Sequence, residues 1–165
     1  MSSSEEGFGF LVAGKVKEFN NWRMKNLTAK PDYSGRDFSG KDLSNAYLNG
    51  INADGANFSK TLLKGTNFVQ ASLNRANFEG ADLTQVLLMY AEMKGTRLHG
   101  ANLTEANLMW ANLQEADLTE STLAKTVMVE ANLQNAKLDV RGKNGAYTKY
   151  AKLEGTPWHE KAQTH

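Results

Sequence analysis

There is no cysteine in these 165 residues. That excludes disulfides, thiol nucleophiles and cysteine-ligated zinc. Histidine is scarce as well, with only His99, His159 and His165. No apolar run approaches the ~20 residues that a membrane-spanning helix needs. The opening Met1-Ser2-Ser3-Ser4-Glu5-Glu6 has neither the basic region nor the apolar stretch of a signal peptide. A cytoplasmic location is therefore expected, although a processed exported form also suits a cysteine-free chain. Neither sign of charge is in excess: the formal net charge is +1 and the sequence pI about 7.9. Bulk electrostatics thus gives no case for a nucleic-acid partner or an anionic membrane. The length suits one domain, and 41% hydrophobic residues suffice for a core.

What the chain has in abundance is repetition, which decides a fold before any local reading does. Ala76-Asn77-Phe78-Glu79-Gly80 is followed by Ala81-Asp82-Leu83-Thr84-Gln85. Further on stand Ala101-Asn102-Leu103-Thr104-Glu105 and Ala106-Asn107-Leu108-Met109-Trp110. A central apolar residue returns every fifth position through 22 units, starting at Tyr33 and ending at Leu138, and only Ala53 among them is small. Two positions before it sits a small residue, usually Ala, Thr, Ser or Val; just before it sits, most often, Asn or Asp.

A period of five fits neither regular structure. In an α-helix five residues turn about 500°, so the apolar positions spiral round the surface. In a strand an odd period throws successive leucines to opposite faces. The chain must instead turn a corner in every unit, and the glycines that recur two after the centre, such as Gly80 and Gly100, suit tight turns. The number of corners per coil can be read from like stacking on like. Every twentieth central residue gives Leu43, Leu63, Leu83, Leu103 and Leu123 in one column, and Phe38, Phe58, Phe78, Leu98, Leu118 and Leu138 in another. That predicts four units per turn.

Tandem A(D/N)LXX units over residues 32–140 resemble the pentapeptide-repeat family. The resemblance implies an all-β solenoid, a right-handed quadrilateral β-helix of about five to six coils of four pentapeptides, with an N-terminal capping α-helix. The expected organisation is a capping helix and linker at 1–31, the β-helix at 32–140, and a degenerate final coil and tail at 141–165. Phe8, Leu11, Val12, Val16, Phe19 and Trp22 recur at near-helical spacing, predicting one amphipathic helix over 8–24. The stretch Phe19-Asn20-Asn21-Trp22-Arg23 followed by Pro31-Asp32 resembles leaders of the family, and Pro31 marks entry to the coil. Beyond 140 the pattern weakens. Lys143 and Thr148 occupy central positions, Gly142-Lys143-Asn144-Gly145 reads as a turn, Ala151-Lys152-Leu153-Glu154-Gly155 returns in frame, and Trp158 is a candidate anchor for the tail.

No catalytic set emerges. No phosphate-cradling loop and no paired carboxylates stand out. His159 and His165 do not have the look of a ligand pair, and His99 falls one after a central leucine, facing outward. Glu92, Lys94, Arg97 and His99 make a small polar cluster for which a surface salt bridge is the better reading than a site. The chain reads as a non-enzyme without cofactor or metal.

The outward positions carry more information. One after the centre, three faces are almost wholly polar, while the fourth reads Asn49, Val69, Met89, Met109, Val129. That face also collects Tyr47, Leu87 and Val127 just before the centre, and Tyr90 and Trp110 two after it. Stacked coils would join these nine into an apolar stripe, the kind of patch that marks an interface. Three occupants are open at this point: the chain's own N-terminal helix or tail, a second copy in a homodimer, or a foreign protein. The leading expectation is a regulatory or signalling scaffold for protein–protein interaction, in keeping with the family's frequent occurrence in cyanobacteria. The family also implies an alternative, a DNA mimic that binds and protects a type II topoisomerase such as gyrase. That role calls for a strongly acidic rod, whereas residues 32–140 carry nine cationic and thirteen acidic side chains, a net charge of −4. DNA carries one negative charge per ~1.7 Å.

Overall fold

The computed structural model describes residues 2–141 and 145–159. Two α-helices, α1 (Ser3–Val12) and α2 (Val16–Lys25), precede the repeats. The single helix expected over 8–24 is therefore two. The break falls at Gly14, whose φ of +70° lies outside the helical region, and Lys15 donates back to the Phe10 carbonyl at 2.8 Å. The first helix is capped by Ser2, whose hydroxyl accepts from the Glu5 N–H at 3.2 Å, and Glu5 and Glu6 sit favourably in its first turn.

From Asp32 to Asp117 each residue just before a centre forms a parallel bridge to the residue twenty further on, as in Asp42↔Leu62, Leu62↔Asp82 and Asp82↔Asn102. The strands are single bridged residues, and the four-unit coil expected from the stacking columns is what the backbone adopts. The bridging resumes at Val127↔Tyr147 and Asn132↔Lys152. Gly142, Lys143 and Asn144, where a turn is expected, lie outside the described residues, as does His165.

The backbone accounts for its own polar groups, as a buried chain must. In the unit 101–105 all five N–H groups find partners. Ala101 donates to the Leu98 carbonyl across the corner (3.0 Å) and Asn102 to Ala81 in the preceding coil (3.0 Å). Leu103 and Glu105 donate to Thr122 and Ala124 in the following coil (2.8 and 2.9 Å). Thr104 donates to Oδ1 of Asn102 (3.1 Å). This last bond explains the preference for Asn or Asp before the centre: a side-chain oxygen there closes an Asx turn. Where Ser72 and Glu92 break the rule, the coil below substitutes. The Asn74 N–H donates to Asp54 Oδ1 at 2.8 Å, and the Lys94 N–H to Asn74 Oδ1 at 3.0 Å.

Inside, the central side chains stack in columns. Phe38, Phe58 and Phe78 lie parallel, with ring centroids 4.9 and 4.8 Å apart. The small positions hold mostly alanines and hydrogen-bonded threonines; buried Thr66 donates its hydroxyl to the Leu43 carbonyl at 2.8 Å. Helix α2 closes the first coil. Buried Arg23 donates to the carbonyls of Tyr47 (3.1 Å), Asn49 (2.8 Å) and Ala29 (2.9 Å). Asn20 accepts from the Tyr47 N–H at 2.8 Å and donates to the Asn45 carbonyl at 2.9 Å. These two side chains supply the partners that a preceding coil would have given. At the other end Trp158 is buried and donates its indole N–H to the Asp139 carbonyl at 2.9 Å.

Candidate protein-binding face

The coil brings the nine residues of the apolar stripe onto one side. Tyr47, Leu87 and Val127 belong to one column of bridged positions, with Asn67 and Asn107 between them. Those two asparagines hold the N–H groups of Val69 and Met109 at 2.9 and 3.1 Å, which fixes the turn that points Val69 and Met109 outward. Val69, Leu87, Met89, Met109, Val127 and Val129 are half-buried. Tyr90 and Trp110 stand at the edge of the face, 51% and 39% exposed. Their rings stack on each other at 4.8 Å with an interplanar angle of 11°. Both occupy the corner position that each unit from Gly35 to Asn135 holds at positive φ, here 60° and 59°. The corner geometry comes from the fold, and it sets the two rings one coil apart on neighbouring rungs.

Two residues of this face were missed as members of it. Tyr147 bridges to Val127 and so continues the Tyr47 column, and Tyr150 takes the same corner position as Tyr90 and Trp110, at φ 60°. Both belong to the C-terminal stretch that stood among the possible covers of the stripe; they lengthen it instead, 57% and 73% exposed. The frame count carried the signal, since Ala146-Tyr147-Thr148 keeps the period of five. Trp158, the candidate anchor of the tail, is buried at the end of the coil. Helix α2 grips the rim of the first coil at Tyr47 and Asn49 and reaches no further along the stripe through its polar bonds. At that end an open groove of about 520 Å³ is lined by Lys30, Gly50, Gln70, Tyr90, Glu92 and Trp110.

The polar cluster does not assemble. Glu92 accepts from the Asn112 amide at 2.9 Å, and Lys94 pairs with Glu115 at 3.5 Å, on one face. Arg97 pairs with Glu79 at 2.5 Å, and His99 meets the Thr119 hydroxyl at 2.9 Å and Glu120 at 3.7 Å, on the next. These are exposed pairs of small energetic weight. Among the described residues no group of His, Asp or Glu could hold a metal ion, and no helix is long and apolar enough to cross a membrane.

Hydrogen bonding holds several carboxyls of the rod below their ordinary pKa. The N–H and hydroxyl of Ser34 act on Asp32, those of Ser39 on Asp37, and those of Ser44 on Asp42. Glu105 is lowered first by the Gln85 amide and then by Lys125. For Asp117 burial works in the opposite direction and is outweighed by Thr119. All are accounted for by turn and rim bonds, so none marks reactive chemistry.

A family model for pentapeptide repeats matches residues 42–80, 66–104 and 106–139, more than half of the chain. The chain belongs to the pentapeptide-repeat family. Its fold is accordingly the right-handed quadrilateral β-helix, here with two helices at the N-terminal end. Among solved structures this pentapeptide-repeat protein is similar to alr5209, a pentapeptide repeat protein from Nostoc PCC 7120. The identity is 27% and the TM-score 0.52, over 73% of this chain and 83% of that one. It is also similar to HetL, a pentapeptide repeat protein involved in heterocyst differentiation regulation in the cyanobacterium Nostoc sp. strain PCC 7120. There the identity is 21% and the TM-score 0.40, over 77% and 84% of the two chains. A third is QnrB1, a plasmid-mediated fluoroquinolone resistance protein, in its trypsin-treated R167E form, at 21% identity and TM-score 0.44 over 76% and 72%. No curated protein matches the chain.

Proposed function

We propose that this pentapeptide-repeat protein is a non-enzymatic scaffold, regulatory or signalling in role, that binds protein through the apolar face of its β-helix. The observation that carries this reading is the open Tyr90–Trp110 stack beside the apolar row Val69, Met89, Met109 and Val129, in a rod whose outward positions elsewhere are mostly polar. Burial of such rings stabilises an interface by area and by stacking geometry, and Trp and Tyr are the residue types that dominate interface energetics. The topoisomerase-protecting alternative draws less support, since Lys and Arg are spread among the acidic side chains of the coil and pair with them, as Lys94 does with Glu115.

The test compares proteins retained from an extract of the producing cells by wild type, by Met89→Glu/Trp110→Glu, and by His99→Ala on another face. Wild type and His99→Ala should retain the same proteins, other copies of the chain included, and the doubly substituted but folded rod should lose them. Identical retention by all three would overturn the reading.

A further inference from the structure

We infer that the partner of this face is a second copy of the chain, packed antiparallel about a two-fold axis between the rungs of Met89 and Met109. The inference rests on the reading of the stripe as a binding face. An isologous interface requires a surface that matches itself after rotation, and this stripe does. A two-fold in the plane of contact and perpendicular to the rod keeps each column in place and reverses its order. One after the centre the column reads Asn49, Val69, Met89, Met109, Val129, Lys149. Reversed, it sets Met89 against Met109 and Val69 against Val129, each contact occurring twice.

The corner column behaves in the same way and adds shape and charge. It reads Gly50, Gln70, Tyr90, Trp110, Glu130, Tyr150. Reversal sets Tyr90 of one copy against Trp110 of the other. Protruding Tyr150 then faces Gly50, where the absence of a side chain opens the groove lined by Lys30, Gln70, Tyr90, Glu92 and Trp110. Glu130 arrives opposite Gln70, across that same groove from Lys30, and neither Glu130 nor Lys30 is in an ion pair within its own chain among the described residues. A parallel pairing is disfavoured, because it would set Tyr90 and Trp110 against Gln85 and Glu105 at the opposite edge of the face.

Because the chain has no cysteine, single cysteines report the register directly. A mixture of Val69→Cys and Val129→Cys chains should form a covalent dimer with a short bifunctional thiol reagent, and neither chain alone should. Two copies of residue 69 stand three rungs apart in this packing, ~14 Å at ~4.8 Å per rung. In light scattering, Glu130→Lys or Lys30→Glu should each raise the dimer dissociation constant about tenfold, from two symmetry-related pairs. The double reversal should restore it. Cross-linking of Val69→Cys with itself, absence of cross-linking in the mixture, or a wild type that stays monomeric at millimolar concentration would overturn antiparallel self-pairing. The extract comparison then still decides the scaffold reading on its own.

Discussion

Tyr33 shows how one atom can be out of balance in an otherwise satisfied structure. Its hydroxyl is buried with no hydrogen-bond partner among the described residues. Helix α1 passes so close that only a glycine fits at position 7: a Cβ there would collide with the Tyr33 oxygen and come within 3.0 Å of the Trp22 ring. Burial holds the phenol's pKa well above the ordinary tyrosine range. Tyr33→Phe removes a stranded polar atom without loss of ring packing, and is expected to raise stability by about 1 kcal/mol in denaturant titration. The pH behaviour follows in sign. An unfolded tyrosine ionises near pH ~10, whereas the folded Tyr33 retains its proton, so its contribution is complete below that pH and is lost as pH rises above it. Tyr33→Phe should remove that part of the alkaline loss. None of this was legible in the sequence, where Tyr33 reads only as a central apolar residue. The corner glycines, by contrast, were legible as turn residues. What the sequence hid is that Lys60, Gln70, Tyr90, Trp110 and nine others with side chains in the same corner, besides Tyr150 beyond the main run, take positive φ too. The coil imposes that geometry on charged, amide and aromatic side chains alike, up to Asn135; Val140, at the corner of the last unit of the main run, does not take it.

At the scale of the element, the coil columns were the most legible feature, because a twenty-residue recurrence of phenylalanine has no other structural reading. The helical cap was less so. Gly9 lies within α1 and Gly14 ends it, yet both sit in one helical apolar pattern and offer no signal that separates them. The polar group of Glu92, Lys94, Arg97 and His99 was misjudged as a cluster for a similar reason. Proximity in sequence spans the corner at Gly95, which sends the two pairs to different faces. Arg23 is where the cap is held. Its guanidinium is buried, which lowers its pKa from the usual arginine value, and three carbonyls receive its N–H groups. Arg23→Met should strand those carbonyls and cost about 2–4 kcal/mol. Because a solenoid's stability is set by neighbouring coils, hydrogen exchange should show the loss concentrated in residues 32–51 and α2, with the later coils little changed. A uniform rise in exchange would contradict that locality.

Across the whole molecule, a rigid column of coils displays its outward residues in straight rows, so that a surface spanning six rungs is written at twenty-residue intervals. The nine-residue stripe was readable for that reason. Its extension to Tyr147 and Tyr150 was harder to see, because the weak unit around Lys143 interrupts the composition while keeping the count. The occupant was beyond the sequence, since self-complementarity appears only once the columns are set side by side in register. The most direct check is solution mass by light scattering for wild type and Trp110→Glu at the same concentration, with circular dichroism to confirm that the coil is intact. Wild type should give a dimer, twice the chain's 18.2 kDa, and the folded variant a monomer. A dimer that survives Trp110→Glu would place self-association elsewhere on the rod, and a monomeric wild type would contradict self-pairing through this face.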